Sequence, residues 1–252
     1  MLIISLMLFI PYVCMMLGAS FISTHFNKKG KAEGNSLYSR FAKDIIEKLS
    51  ISPNAELALG SIPAISAFFA YAQLLYTAKT IAMSMMALSV VLYIVAFVFI
   101  YKYRNTFRLG SILHSLKKIA GKDALESTDE NIKHVEEFEE SVESSNSSTG
   151  NAGKWLLLTA TYIFSGTMAL ASNPERWSSV NNVLQVIFSW QTIFSFFAFA
   201  ALAGILSGGA ILFFFFRWNG GLEDITEDYA ALVKKTAGSV ALWSGILLPL
   251  FL

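Results

Sequence analysis

The sequence predicts an all-α integral membrane protein with six transmembrane helices and with both ends of the chain outside the cytoplasm. Three observations support this prediction. Of the 252 residues, 54% are hydrophobic and 15% are charged, whereas soluble domains contain about 25% charged residues. The apolar residues form runs that are long enough to cross a bilayer. The basic residues are concentrated in alternate connections between those runs.

The apolar runs divide into segments of roughly 17–25 residues, the length that a tilted helix needs to cross a bilayer. The first run has no basic region before it and exceeds the roughly 7–15 apolar residues of a signal peptide, so we interpret it as a retained helix. The run at 51–101 is long enough for two helices and is interrupted at Lys79. The six predicted spans are residues 1–22, 52–76, 81–101, 154–171, 190–216 and 237–252, the last with a start that can reach back to Tyr229.

Lysine and arginine are distributed unevenly between the connections. The segments 24–50, 102–154 and 217–235 contain six, eight and three of these residues, whereas only Lys79 and Arg176 fall in the other connections. Connections rich in basic residues remain in the cytoplasm. The sequence therefore predicts that both termini lie outside (N-out, C-out) and that the three basic connections lie inside.

The long basic connection is predicted to contain two helices and a tether. Apolar residues recur at helical spacing beside basic residues at 106–121, which predicts an amphipathic helix on the inner membrane surface. A capping-box pattern predicts an acidic helix at 127–142. Residues 144–153 (SSNSSTGNAG) predict a flexible tether. These features divide the chain into a three-helix membrane half (1–101), a cytoplasmic amphipathic and acidic linker (102–153) and a second three-helix membrane half (154–252).

Two acidic clusters each have two interpretations. The acidic helix either binds a basic cytoplasmic partner through Ile132, Val135 and Phe138 or is a solvated helix. A second cluster of four carboxylates either binds a divalent cation or complements the positive N-terminal end of the last helix. Its members are Glu223, Asp224, Glu227 and Asp228.

Residues that could hold a redox cofactor or a metal are scarce. The histidines His25, His114 and His134 lie at the inner end of the first span or in the linker, so no pair lies at membrane depth to bind haem b. The single cysteine, Cys14, excludes an intrachain disulfide and a cysteine-based zinc or iron–sulfur site. We interpret Glu56 as an interfacial acid in the first turn of the second span. The sequence predicts no catalytic residue and no metal site.

Aromatic and amide side chains gather near the predicted outer ends of the helices. Gln73 and Tyr76 lie at the end of the second span, and Trp177 lies in the connection before the fifth. Trp190 and Gln191 begin the fifth span. Aromatic rings with amide donors at headgroup depth can bind a quinone, and these five residues form the predicted quinone-binding set. A belt of interfacial aromatic residues, which membrane proteins commonly have, is the competing interpretation.

Five groups of short motifs, taken with their order along the chain, carry a family resemblance. They are FIP with LGAS (9–11, 17–20), SLYSRFAK (36–43), GSIP (60–63), ASNP (171–174) and ALAG with SG (201–204, 207–208). With these motifs the chain resembles the large subunit of cytochrome bd-type quinol oxidases. The resemblance implies a membrane protein that handles quinol.

The haem ligands of that family are not matched. Where the family has a histidine before the proline of the first helix, this chain has Leu6 or its neighbours, and a residue near Phe199 replaces the histidine of the fifth helix. Ala64 stands where the family has an acid. The resemblance therefore implies a degenerate relative that binds no haem and does not reduce oxygen alone.

These observations together predict an integral subunit of an electron-transfer complex in the inner membrane of a bacterial cell. The subunit would contribute a quinone site, and haem would be bound only by partner subunits such as a c-type cytochrome. Its expected partners are the lipid bilayer and other membrane subunits, and a net charge of +1 argues against nucleic acid. The alternative is a non-redox membrane scaffold or a transport or secretion subunit.

Overall fold

The computed structural model describes residues 2–50, 52–74, 80–125, 129–177, 179–216 and 225–251. Over these residues the chain is helical and contains no strand, which confirms the all-α class. A π-helical turn (Leu57–Ser61) joins two of the helices, and 3-10 turns occupy Pro174–Arg176 and Leu248–Leu250. The helices are α1 (Leu2–Glu33), α2 (Ser36–Leu49), α3 (Pro53–Glu56), α4 (Ile62–Leu74), α5 (Thr80–Leu125), α6 (Asp129–Ala171), α7 (Val183–Ile187), α8 (Trp190–Phe216) and α9 (Glu227–Leu247).

Five helical stretches among the described residues are long and apolar enough to cross a membrane, as a multi-pass membrane protein requires. The remaining predicted span, 154–171, is the C-terminal part of α6. It lies inside the bundle, where Leu157, Ala160 and Phe164 are fully buried. The five stretches are Leu2–Glu33, Pro53–Gln73, Ile81–Leu113, Trp190–Phe216 and Glu227–Leu250.

The C-terminal part of α6 carries several buried hydroxyl side chains. Thr161, Ser165 and Thr167 are buried, and each donates a hydrogen bond of 2.8–3.0 Å to the carbonyl four residues earlier. Thr161 also accepts a hydrogen bond of 3.2 Å from the Tyr93 hydroxyl of α5. Because carbonyls of the same helix accept these hydrogen bonds, α6 can lie at the centre of an apolar bundle.

The largest core cluster contains three aromatic rings that join α1, α5 and α6. Phe9 contacts Tyr93 and Phe164 edge-to-face, with ring centroids 5.0 and 5.3 Å apart. Tyr93 and Phe164 complete the triangle at 6.0 Å. Each such pair contributes about 0.5–1.5 kcal/mol beyond the burial of its surface. This cluster therefore fixes how the three helices pack.

Small residues let α8 approach α1 and α9 closely. A Cβ atom on Gly18 of α1 would lie 2.7 Å from the carbonyl oxygen of Ala203 on α8. A Cβ atom on Gly208 of α8 would lie 2.6 Å from the carbonyl oxygen of Ala237 on α9. Close backbone approach at small residues is a common way for helices to pack within membranes.

The amphipathic helix α2 covers the predicted cytoplasmic ends of α8 and α9. Its Phe41 is fully buried, with its ring centroid 6.1 Å from that of Phe215 and 6.3 Å from that of Tyr229. The Tyr229 hydroxyl donates a 2.6 Å hydrogen bond to Asp44 of α2. The Arg40 guanidinium lies over the Tyr229 ring and pairs with Asp44 at 3.5 Å. Apolar burial and a charged network together hold α2 against α9.

The prediction of a flexible tether at 144–153 was wrong. These residues are helical and lie in the middle of α6. Asn146 and Thr149 are buried, and a Cβ atom on Gly150 would lie 2.8 Å from the Tyr103 ring of α5. The small side chains that suggested a tether instead let α6 pack closely against its neighbours.

The prediction of a separate surface helix at 106–121 was wrong. This segment continues the third predicted span without a break, so that α5 runs over Thr80–Leu125. Tyr103 and Thr106 are buried where α5 packs against α6, whereas Leu109 and Ile112 are exposed. Pairing with α6 extends α5 beyond its apolar part.

The two predicted acidic clusters are described only in part. The predicted acidic helix, 127–142, lies in the N-terminal part of α6. Its first two residues, 127 and 128, fall outside the described residues. Glu223 and Asp224 also fall outside them. Glu227 and Asp228 occupy the first turn of α9, where carboxylates complement the positive end of the helix dipole.

Candidate functional site

A shallow groove lies between the connection that follows α6 and the start of α8, at the end of the bundle predicted to face outward. Its volume is about 510 Å³. The side chains of Trp190 and Phe188 at this groove are 74% and 72% exposed. The lining residues are Arg176, Ser179, Val180, Gln185, Phe188, Ser189, Trp190 and Gln191.

Local hydrogen bonds hold the walls of the groove in place. The Asn182 side chain caps α7, and the Ser189 hydroxyl accepts a hydrogen bond from the backbone N–H of Thr192 in α8. Tyr162 of α6 donates a 2.7 Å hydrogen bond to the carbonyl of Ile187, the last residue of α7. These bonds attach the short helix α7 and the start of α8 to the bundle.

Arg176 and Gln191 meet in this groove. The Arg176 guanidinium donates a hydrogen bond to the side-chain oxygen of Gln191. Because this oxygen is engaged as an acceptor, the Gln191 amide offers N–H groups to a ligand, as does the guanidinium. The groove therefore favours a ligand with carbonyl or anionic oxygen atoms.

A row of aromatic rings continues from the groove along α8. The ring centroids of Trp190 and Phe194 are 6.2 Å apart, and Phe251 lies 6.3 Å from Phe194 and 5.2 Å from Phe197. Phe194 and Phe197 are each 46% exposed. On a helix that is long and apolar enough to cross a membrane, such exposed rings suit contact with lipid.

The structure brings together two of the five residues predicted to bind quinone. Trp190 and Gln191 line the groove. Trp177 packs against the largest core cluster, and its indole N–H donates a 3.0 Å hydrogen bond to a carbonyl of α6. Gln73 is exposed near the end of α4 and is not among the lining residues. Tyr76 lies outside the described residues.

Sequence reasoning did not select Arg176 and Phe188 as site residues. Arg176 carried a usable signal, because it is one of two basic residues in the predicted outer connections. No sequence signal indicated its contact with Gln191, because that contact depends on how the 3-10 turn and α7 fold the connection back onto α8.

The two histidines with described side chains lie on the surface. His25 is exposed on α1, with its ring 5.4 Å from that of Phe26. His134 is exposed on α6, with its Nδ1 atom 3.7 Å from a carboxylate oxygen of Glu137. The side chain of His114 lies outside the described part of the structure.

The interior of the bundle holds a carboxylate that sequence reasoning placed at the interface. Glu56 occupies the first turn of the second span, as predicted, but only 6% of its surface is exposed. The Ser50 hydroxyl donates a 2.6 Å hydrogen bond to it. Buried ionisable groups in membrane spans are commonly functional, so Glu56 marks a second candidate site.

No protein-family model, curated protein or solved structure matches this sequence. The function is therefore inferred from the chemistry of the groove and from the motifs in the sequence.

Proposed function

We propose that the protein is an integral subunit of a bacterial inner-membrane electron-transfer complex and that its outer groove binds a quinone or quinol. The observation that carries this proposal is the exposed Trp190 ring beside the hydrogen-bonded pair of Arg176 and Gln191. A quinone presents a flat apolar ring with carbonyl oxygens at its edge, which matches these groups. The motifs that resemble cytochrome bd-type quinol oxidases support the same chemistry.

The groove residues would bind and orient the headgroup. The quinone ring would pack on Trp190, because flat rings bury large areas on indole. One carbonyl would accept hydrogen bonds from Arg176 or from the Gln191 amide, the former strengthened by the guanidinium charge. The isoprenoid tail would lie along Phe194 and Phe197, whose exposed rings lead from the groove along α8.

Electrons would pass to cofactors on partner subunits. No histidine of this sequence falls within a predicted span at membrane depth, so haem would be held by a partner such as a c-type cytochrome on the outer side. Oxidation of one quinol in the groove would release two protons to the outer water and two electrons, which that haem would accept one at a time. The role of this chain would be to hold the headgroup within reach of the partner.

The proposed topology has six spans, with both termini outside. Residues 154–171 of α6 would form the fourth span in chain order, with their hydroxyls shielded by the surrounding helices and hydrogen-bonded to carbonyls of the same helix. The basic residues of the connections favour this orientation. The groove would then open at the outer surface.

Photoaffinity labelling tests whether the groove binds quinone. The purified protein in lipid nanodiscs would be illuminated with an azido-quinone, with and without excess unlabelled ubiquinone, and the labelled peptides identified by mass spectrometry. We expect competable label between residues 176 and 194. Trp190→Leu should lose this label, whereas Trp243→Leu should keep it, because Trp243 is similarly exposed at 67% but does not line the groove. Label that is confined to other helices would refute the proposal.

A second candidate is a non-redox scaffold, or a transport or secretion subunit, that recruits a basic cytoplasmic partner. The acidic N-terminal part of α6 favours it, because this part continues directly into the part of the same helix that lies inside the bundle. An absorption spectrum of the complex purified with this subunit distinguishes the two candidates: haem bands support the electron-transfer role, and a colourless complex supports the scaffold. The exposed residues of the acidic part include Glu136, Glu137, Phe138, Glu139 and Glu140.

A further inference from the structure

A cluster of buried polar side chains lies where α1, α3 and α5 meet. The carboxylate of Glu56 is at its centre, and the fully buried Ser50 at the end of α2 donates a hydrogen bond to Glu56 Oε1. The positive charge of Arg104, on α5, acts on the same carboxylate. Glu56 thus lies in the bundle interior with one neutral donor and one cation beside it.

Tyr12 of α1 completes the cluster. Its side chain is 5% exposed, and its hydroxyl has no hydrogen-bond partner among the residues that the structure describes. The same hydroxyl is close enough to Glu56 for the two groups to interact electrostatically. A buried hydroxyl without a partner is destabilising, which favours a small polar ligand between Tyr12 and Glu56.

The backbone beside Glu56 is also unusual. The π-helical turn Leu57–Ser61 begins at the next residue, and such turns often occur at functional sites. Within this turn, Gly60 lets the rings of Tyr12 and Phe97 approach the backbone closely. A Cβ atom at this position would lie 2.7 Å from Phe97 and 3.1 Å from Tyr12. The glycine thus lets the Tyr12 ring pack against the π-helical turn that follows Glu56.

We propose that Glu56, Ser50 and Tyr12 form a proton-binding site inside the bundle. The Glu56 carboxylate takes up a proton to become a carboxylic acid, and a bound water molecule joins it to the Tyr12 hydroxyl. The groups that face Glu56 are Tyr12 from α1, Ser50 from the end of α2 and Arg104 from α5. Protonation removes the negative charge of Glu56 and with it the electrostatic attraction between Glu56 and Arg104. Proton uptake at Glu56 is therefore coupled to the interaction with Arg104.

The site is independent of the proposed quinone groove. Arg104 lies just beyond the apolar part of the third predicted span, on the side predicted to face the cytoplasm, whereas the groove is at the other end of the bundle. Protons would therefore reach Glu56 from the side of Arg104. A protein without quinone would still take up this proton.

Infrared difference spectroscopy tests the site. Spectra of the full-length protein in lipid nanodiscs, recorded between alkaline and acidic buffer in H₂O and D₂O, show the C=O stretch of each carboxylic acid that forms. Subtracting the Glu56→Gln spectrum from the wild-type spectrum isolates Glu56. We expect a pH-dependent acid band at the frequency of a buried carboxyl, with a deuterium shift. Glu47→Gln, which removes a partly exposed carboxylate of α2 paired with Lys43 at 4.0 Å, should leave that band in place.

Tyr12→Phe keeps the ring and the Glu56 carboxyl and removes only the hydroxyl. We expect the Glu56 band to remain and to shift in frequency, because the hydrogen bond through water is lost. A wild-type protein without a pH-dependent Glu56 band would overturn the proton site, and so would a band at the frequency of a solvated acid. An unshifted band in Tyr12→Phe would overturn the part assigned to Tyr12. Because Tyr12→Phe leaves Glu56 intact, its shift still tests the site if Glu56→Gln does not fold.

Discussion

Asn27 of α1 donates a hydrogen bond of 2.6 Å from its side-chain amide to the side-chain oxygen of Asn146 on α6. Asn146 in turn donates a hydrogen bond of 2.8 Å to the Thr106 hydroxyl of α5. All three side chains are buried. Three helices are thus joined through one amide, which can reach both partners only because the segment around Asn146 is helical.

Replacing Asn146 by alanine should destabilise the bundle. The change removes one hydrogen bond from the Asn27 amide and one from the Thr106 hydroxyl. Each such loss lowers the free energy of unfolding by about 1–3 kcal/mol. Chemical unfolding in detergent micelles measures the effect. The neighbouring Ser147 is exposed, so Ser147→Ala should change the free energy of unfolding by no more than about 0.5 kcal/mol. Equal stability of the two variants would contradict the role assigned to Asn146.

Two adjacent glycines of α8 should respond differently to the same substitution. A Cβ atom on Gly208 would lie 2.6 Å from the carbonyl oxygen of Ala237, whereas one on Gly209 would have no neighbour within 4 Å among the described residues. Gly208→Val should therefore force α9 away from α8 and cost about 1–3 kcal/mol. Gly209→Val is the control for the change in helix propensity. Thermal unfolding that ranks the two variants equally would contradict the observed packing of α8 on α9.

Cysteine labelling tests the proposed topology. Ser147 and Ser179 are both exposed, and they flank the proposed fourth span, residues 154–171. The native Cys14 is fully buried and should contribute no background. Ser147→Cys should react with a membrane-impermeant maleimide only from the cytoplasmic side, and Ser179→Cys only from outside. Reversed labelling would overturn the orientation and would place the groove in the cytoplasm.

Haem should be absent from the isolated subunit. His25 is exposed on α1, and its described ring contact is with Phe26, so we expect no b-type haem there. Reduced-minus-oxidised absorption spectra measure this directly. His25→Ala should leave the haem content of the whole complex unchanged. A haem b spectrum that the isolated subunit shows and that His25→Ala removes would contradict the proposed division of cofactors between subunits.

The helical class and five of the six predicted apolar spans followed from composition and run length, because these report directly on the solvent around each segment. The tether was misjudged because Ser, Asn and Gly at 144–153 have the composition of a linker. In the structure, Gly150 and Gly153 and the hydrogen-bonded side chain of Asn146 lie on the side of α6 that meets α1 and α5. Composition does not distinguish a solvated linker from a helix face built for close approach.

The candidate sites were predictable only in part. Trp190 and Gln191 could be selected because their place at the start of an apolar span sets their depth. The contact of Gln191 with Arg176 depends on the fold of the connection between α6 and α8, which no local pattern reports. Glu56 was expected at the interface because its position near the end of a span is compatible with solvent. Its burial comes from α1 and α5, whose packing against the second span the sequence does not specify.

The affinity of the protein for quinone tests the central claim most directly. A short-chain ubiquinone would be titrated into the wild-type protein, Arg176→Leu and Trp243→Leu in nanodiscs, with circular dichroism as a control for folding. Loss of a hydrogen bond to a charged donor costs about 1.5–3 kcal/mol, so Arg176→Leu should bind about tenfold or more weakly. Trp243→Leu should bind as the wild type does. If the wild type fails to bind ubiquinone and menaquinone analogues, or if Arg176→Leu binds them equally well, the groove is not a quinone site.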